Sequence, residues 1–288
     1  ADESANAPEI RMFRRILEDA ESAERAAAEL ARDEGSGESE AERAAWTDYV
    51  RHRFAAAGGV SGARPKPERP AERPAASVFE WPAPIVFDDR LRQSSFSTYE
   101  DKKSLPPRER AIGEFEVYFN EFYAAALLAT VLYDSWKLHA PRQYFMDVAR
   151  HFWDEVRHAE FGAVRLRELG VEPSKINMSL FEHSRQMPVL HRYCYLTYGL
   201  EVFFMPRKSE RTRYYEQAGD ARSQLFSDVD WSEEINHVNY GKRWVNHFLE
   251  NDSRTIQDIQ NEISEFLARS GAALPEGRKA RNSEISFR

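Results

Sequence analysis

The sequence is nearly devoid of cysteine, with Cys194 alone among 288 residues. That excludes an internal disulfide, a cysteine-built zinc site and an iron–sulfur cluster, and it fits a reducing compartment. Long apolar runs are missing as well: no stretch approaches about 18 consecutive apolar residues. The first residues, with Asp2, Glu3, Glu9 and the pair Arg14-Arg15, lack the apolar core of a secretory signal. The expectation is a soluble, cytoplasmic protein with no membrane partner. Positive charge is not in surplus either, because 40 Lys and Arg stand against 48 Asp and Glu, a net charge of −8. Such a balance disfavours a general nucleic-acid binder.

What is present reads mainly as helix. Over 1–57 the chain is rich in Ala, Glu and Arg. Ile10, Phe13, Ile16 and Leu17 fall at helical spacing, Gly35-Ser36-Gly37 interrupts, and Trp46, Tyr49, Val50 and Phe54 follow. This predicts a helical hairpin. Over 58–107 recurrent proline, as in Arg64-Pro65-Lys66-Pro67, forbids regular helix and predicts an extended Pro-rich linker or strap. The segment 108–252 holds four long helices, at 108–138, 142–169, 188–217 and 221–250, with a break in the last left open near 228–232. A shorter helix at 256–267 precedes a polar tail within 253–288. The fold class is all-α. The 171–187 connection, at about 3.3 Å per residue, spans roughly 55 Å, enough for one long crossover along a bundle.

Chemistry concentrates at two Glu-x-x-His pairs, Glu155 with His158 and Glu234 with His237. On a helix, positions three apart share a face, so each pair offers a carboxylate and an imidazole to one ion. Roughly one such pair is expected by chance in a chain of this composition, so the motif alone decides nothing. Context adds more. Glu121 is the only charged residue over 117–133, and Glu201 the only one over 193–205. A carboxylate on an apolar helix is expected to be buried, and then it must be protonated, paired or bound to metal. The interval from Glu121 to Glu155 nearly equals that from Glu201 to Glu234, which puts all four at one level of the bundle. Four glutamates with neutral imidazoles balance two divalent ions.

In this order and spacing the residues Glu121, Glu155 with His158, Glu201, and Glu234 with His237 resemble the ferritin-like dinuclear-metal carboxylate superfamily. The Asp154-Glu155-Val156-Arg157-His158 form is similar to that of its oxygen-activating members and of a ferritin-like branch of unknown function. The resemblance covers roughly 108–250. It implies a four-helix bundle with one long crossover and a cofactor of two iron ions, or manganese with iron. It also implies dioxygen, a small or medium organic substrate and an electron donor as partners, in an oxidase or monooxygenase. A monomer or dimer is expected.

Asp154 and Glu233 are candidates to hold the ligand imidazoles from behind, and Tyr118 and Tyr198 to line the pocket. Glu114 and Glu116 rival Glu121. Arg157 is expected to pair with a neighbouring carboxylate. Ala124, Ala125 and Ala126 leave room for substrate or merely for close packing. His151, His183, His191 and His247 receive no role. Pro206, one turn after Glu201, predicts a kink or break there. Three other readings stay open: a ferroxidase or storage protein, against which the N-terminal hairpin and strap argue; a transfer-RNA-modifying hydroxylase, favoured by the basic 64–73 stretch and disfavoured by the net charge; and a metal-free helical interaction module.

Overall fold

The computed structural model describes residues 7–33, 40–59, 62–63, 72–75, 91–93 and 102–269. Most of the Pro-rich stretch expected over 58–107, and the polar tail after 269, lie outside the described residues. The chain divides into two compact units, Ala1–Ile85 and Val86–Arg288.

The first unit carries α1 (Ala7–Asp33) and α2 (Glu40–Ala56). The helical spacing of Met12, Phe13, Ile16 and Leu17 makes α1 amphipathic, yet these side chains are exposed, as are Val50 and Phe54 of α2. No residue of α2 is buried. The two helices of the expected hairpin are present, and none of their described side chains is buried.

Among its described residues the second unit is helical apart from loops and one parallel bridge, in which β1 (Arg92–Gln93) pairs with β2 (Lys175–Ile176). Its helices are α3 (Pro107–Phe119), α4 (Phe122–Asp134), α5 (Arg142–Glu168), α6 (Ser179–Ser184), α7 (Val189–Cys194), α8 (Val202–Ala218), α9 (Ala221–Leu249) and α10 (Ile256–Arg269). Proline pre-sets the start of α3 at Pro107, and Gly170, at φ 75°, lets α5 end in a left-handed turn. α9 begins on Asp220, whose side chain accepts from the Ser223 amide at 3.1 Å. α5 packs against α3 and α4, α9 packs against α8, and α5 meets α9. Phe115, Leu127, Val131, Val148, Tyr193 and Val245 are fully buried between them. The connection after α5 is not bare, since it holds β2 and α6.

Three expectations about helix continuity change. The helix expected over 108–138 is interrupted at Asn120–Glu121. There the Glu121 amide bonds the Tyr118 carbonyl and the Tyr123 amide the Asn120 carbonyl, three residues back rather than four. The Asn120 side chain meanwhile accepts from the Asn177 amide at 2.6 Å. The helix over 188–217 neither breaks nor stops at Pro206, which sits inside α8. Instead the turns ahead of it widen into a π-helical segment, Tyr195–Glu201. α9 runs unbroken through 228–232.

Both irregular segments are approached by a glycine. A Cβ on Gly162 of α5 would collide with the Phe119 amide nitrogen, and a Cβ on Gly241 of α9 would collide with the Thr197 side chain in the π segment. By composition and length the run Pro107–Asp134 is apolar enough to cross a bilayer, but 56 % of that window is buried inside the protein. Substituting Gly162→Ala should destabilise the protein by about 1–3 kcal/mol, because backbone cannot yield to the added methyl. Gly113→Ala, whose new Cβ meets only the flexible Lys102 side chain, should be neutral or stabilising by up to about 1 kcal/mol. Thermal and urea denaturation of the two variants measures the difference.

Candidate metal centre

Four helical tracks bring acidic and imidazole side chains to one level of the second unit. Glu121 comes from the α3–α4 break; His151, Glu155 and His158 from α5; Glu201 from the end of the π segment; Asp230, Glu234 and His237 from α9. They form two groups. In the first, ligand atoms of His151, Glu155, Glu201 and His237 lie within 4.8 Å of one another, and in the second those of Glu121, His158, Asp230 and Glu234 do. All six metal ligands expected from the sequence are brought together, three to each group.

The groups are related by a pseudo-twofold. Each E-x-x-H helix gives the glutamate and the residue one turn before it to one group, and its histidine to the other. Thus α5 gives His151 and Glu155 to the first group and His158 to the second, while α9 gives Asp230 and Glu234 to the second and His237 to the first. Gly162 and Gly241 each follow their histidine by one turn. They let the irregular segments carrying Glu121 and Glu201 close in.

The histidines are oriented from behind. His237 Nε2 lies 3.3 Å from Asp154 on α5, and His158 Nε2 lies 3.0 Å from Glu233 on α9. Arg157 binds Asp154 at 2.7 Å and also Glu233, and Arg150 binds Asp154 at 3.0 Å. Two arginines keep Asp154 ionised and Arg157 does the same for Glu233, so each accepts the outer ring N–H and leaves Nδ1 facing inward. His158 Nδ1 lies 3.2 Å from Glu121 and 3.4 Å from Asp230, and His237 Nδ1 lies 3.2 Å from Glu155. In the first group His151 Nε2 lies 2.7 Å from Glu201, and its ring stacks on that of His237 with centroids 3.8 Å apart.

Whether these residues fit a metal is answered by what is left unpartnered. Glu121 Oε2, His151 Nε2, His158 Nδ1, both oxygens of Glu201, Glu234 Oε2 and His237 Nδ1 are buried without a well-directed hydrogen bond, although several face one another at ion-pair distance, as His151 Nε2 and Glu201 do at 2.7 Å. Native interiors rarely leave such atoms unsatisfied. Here they converge and are oxygen and imidazole donors suited to iron or manganese.

Other candidates fall away. Glu114 is bound by Arg110 at 3.0 Å, and Glu116 by Lys175 at 3.1 Å, so neither replaces Glu121. The Tyr118 hydroxyl donates to Asp230 at 2.9 Å. Tyr198 belongs to neither group; its phenol, pushed up to about 12 by partial burial, is engaged with Asn246. His191 pairs with Glu262 and His247 with Glu250.

Sequence reasoning missed His151, Asp230 and Lys208. His151 and Asp230 stand one helical turn before Glu155 and Glu234, a signal visible in the sequence once both glutamates are placed. Lys208 follows Glu201 by two turns. Its Nζ lies 2.6 Å from Asp230, 2.7 Å from Glu234 and 3.1 Å from Glu121. The cavity beside the groups measures ≈ 50 Å³, with Glu121, Ala124, Leu196, Phe204, Lys208 and Arg211 among its lining residues. Ala124 therefore borders open space, while Ala125 is packed in the core.

Burial alone would depress His158 and His237. Asp230, Glu121 and Glu233 outweigh it at His158, and Asp154, Glu155 and Glu234 at His237, so both sit well above the ordinary histidine value. Burial pushes Glu201 up. At Glu155 burial is outweighed by the His151 and His237 imidazoles beside it, which bring it to about 2, and at Glu234 Lys208 leads the opposing effects.

Among its described residues the second unit is thus almost entirely helical, with two buried carboxylate–imidazole groups that could hold metal. Residues 99–283 match the family described as "Protein of unknown function (DUF455)", and the chain belongs to that family. No curated protein and no solved structure matches it.

The pKa directions set the pH response. A metal must displace protons from His158 and His237, so affinity should fall as pH drops below their raised values, by about tenfold per unit for each proton displaced. In the metal-free protein the signs differ. The stability from the raised imidazoles is full below their unfolded value of about 6.5 and is lost as pH rises through the folded values. The stability from the depressed Glu155 and Glu234 is present above about 4.3 and is lost as pH falls through theirs. Chelator-treated protein should therefore melt highest in mild acid, and metal should raise the melting temperature more at pH 8 than at pH 6, as calorimetry can read.

Proposed function

We propose that the second unit is a ferritin-like four-helix bundle whose two groups hold redox-active iron, with a manganese–iron pair as the mixed form. Its proposed activity is that of an oxidase or monooxygenase using dioxygen on an organic substrate. Glu121, Glu155, His158, Glu201, Glu234 and His237 would hold the metal, which would supply the redox chemistry for dioxygen with electrons from an external donor.

The observation that carries this reading is the treatment of two imidazoles. His158 and His237 are each pinned at Nε2 by a carboxylate of the opposing helix, and each turns toward buried carboxylates an Nδ1 that makes no well-directed hydrogen bond. That is what a metal ligand needs and what a core histidine avoids. A metal-free interaction module accounts less well for the first group, because the ion-pair partners of Glu155 and Glu201 are imidazoles alone.

The residues around the groups have separate tasks. Asp154, Glu233, Arg150 and Arg157 hold the imidazole tautomer. Ala124, Leu196 and Phe204 keep one side of the cavity apolar and hinder bulk water. The cavity volume suits dioxygen or a water, so the organic substrate reaches it from the open side. Arg211 lines that space with its guanidinium 4.4 Å from the Tyr118 ring and with a buried NH1 lacking a partner. It is the donor available to hold an acidic group of the substrate.

Protein produced with iron should retain it, and after reduction should consume dioxygen, whereas zinc-loaded protein should not. Glu201→Ala and His237→Ala should lose both the iron and the dioxygen uptake while keeping native helix content. An oxygen electrode, elemental analysis and circular dichroism report these quantities, and iron-free native protein would reject the reading.

A further inference from the structure

The pseudo-twofold is broken at one point, and the break falls on a cation. His151 in the first group corresponds to Asp230 in the second, so a neutral ligand is matched by a charged one. Lys208 stands beside that added charge, but it does more than neutralise Asp230. Its Nζ touches one oxygen from each carboxylate of the second group: Asp230 Oδ1 at 2.6 Å, Glu234 Oε1 at 2.7 Å and Glu121 Oε1 at 3.1 Å. The other Asp230 oxygen is taken by the Tyr118 hydroxyl.

The donors that remain differ sharply between the groups. In the second, Glu121 Oε2, His158 Nδ1 and Glu234 Oε2 are held by neither the ammonium nor the hydroxyl, and Glu234 Oε2 lies 3.8 Å from His237 of the first group. In the first, His151 Nε2, both Glu201 oxygens and His237 Nδ1 are likewise held by no ammonium or hydroxyl and face one another, His151 Nε2 and Glu201 at 2.7 Å, with Glu155 Oε1 beside them at 3.2 Å from His237. Two donors, with a third turned toward the other group, hold an ion less well than four or five do.

We propose that the two positions are unequal: the resident ion sits among His151, Glu155, Glu201 and His237, and the Lys208 ammonium stands where a second ion would sit. This rests on the metal-binding reading above and concerns only how the groups fill. The second ion enters by displacing Lys208 from Glu121 and Glu234, so loading proceeds in two steps of different affinity. Lys208 is then a positioning residue that decides whether the centre is mononuclear or dinuclear.

Anaerobic titration of chelator-stripped full-length protein with Mn(II) tests this, using equilibrium dialysis with elemental analysis and electron paramagnetic resonance to tell isolated from coupled ions. Wild type should bind one ion at least about tenfold more tightly than the second, with an isolated-ion spectrum at one equivalent. His151→Ala should lose the tight ion and Glu121→Ala should keep it. Lys208→Gln and Lys208→Met should bind a second ion at least about tenfold more tightly than wild type, with a coupled spectrum. Two ions of equal affinity in wild type, or loss of the tight ion in Glu121→Ala, would overturn the inference and leave the metal-binding reading standing. Absence of binding in wild type and every variant would overturn that reading itself. If the Lys208 variants do not fold, the wild-type, His151→Ala and Glu121→Ala titrations still decide.

Discussion

Five carboxylates, those of Glu121, Glu155, Glu201, Asp230 and Glu234, are withdrawn from water at one level of the helical core. Each costs several kcal/mol to desolvate as an anion, and at such separations each raises the cost of the next. The surrounding structure answers that constraint. Three imidazoles and one ammonium are packed among the carboxylates, and Asp154 and Glu233 with their arginines fix the direction in which two of the rings point. Without a further cation the arrangement still leaves ligand-type atoms unpaired. The cluster is therefore better explained as a receptor for positive charge than as a means of holding the helices together.

Backbone irregularity serves the same end. A regular helix presents a residue to the same direction only about every 3.6 positions, and two apolar helices meet at a distance set by their side chains. At Asn120–Glu121 the chain tightens, and at Tyr195–Glu201 it widens, so both terminal glutamates are re-aimed relative to a straight helix. Neither distortion would bring its glutamate inward if α5 and α9 stood off at the usual separation. Gly162 and Gly241 remove that separation at matched places, one turn beyond His158 and His237, and so make the twofold a property of the backbone as well as of the ligands.

Much of this was legible in the sequence, for identifiable reasons. Isolated glutamates in apolar runs point to burial, and helical spacing places Glu155 with His158 and Glu234 with His237 on inward faces. Both ends of α5 follow from Pro141 and Gly170, and the passage from α8 to α9 follows from Gly219. What was not legible depends on the neighbouring helix rather than on local pattern. The break at Asn120 answers to Asn177 and Gly162, which are distant in sequence, and Pro206 was tolerated because the turns before it could widen. His151 was passed over because only the three-residue offset to a glutamate was sought, while Asp230 and Lys208 look like ordinary surface charges until α8 and α9 are packed together. The exposed apolar side of α1 shows the converse: periodicity marks an amphipathic helix but does not say what, if anything, covers it.

The position of Lys208 shows how one helical track serves both groups. Seven residues separate it from Glu201, two turns and about 10 Å along a regular helix, which would leave its Cα well below the level of the glutamate. Helical side chains lean toward the N-terminus of their own helix, and a lysine is long enough to return much of that distance. Its Nζ thereby reaches Glu121 and Glu234, whereas Glu201, two turns earlier, serves the other group. Pro206 lies between the two. With no amide hydrogen to offer the Val202 carbonyl, it weakens the helix at the one place where the two halves of the centre share a track.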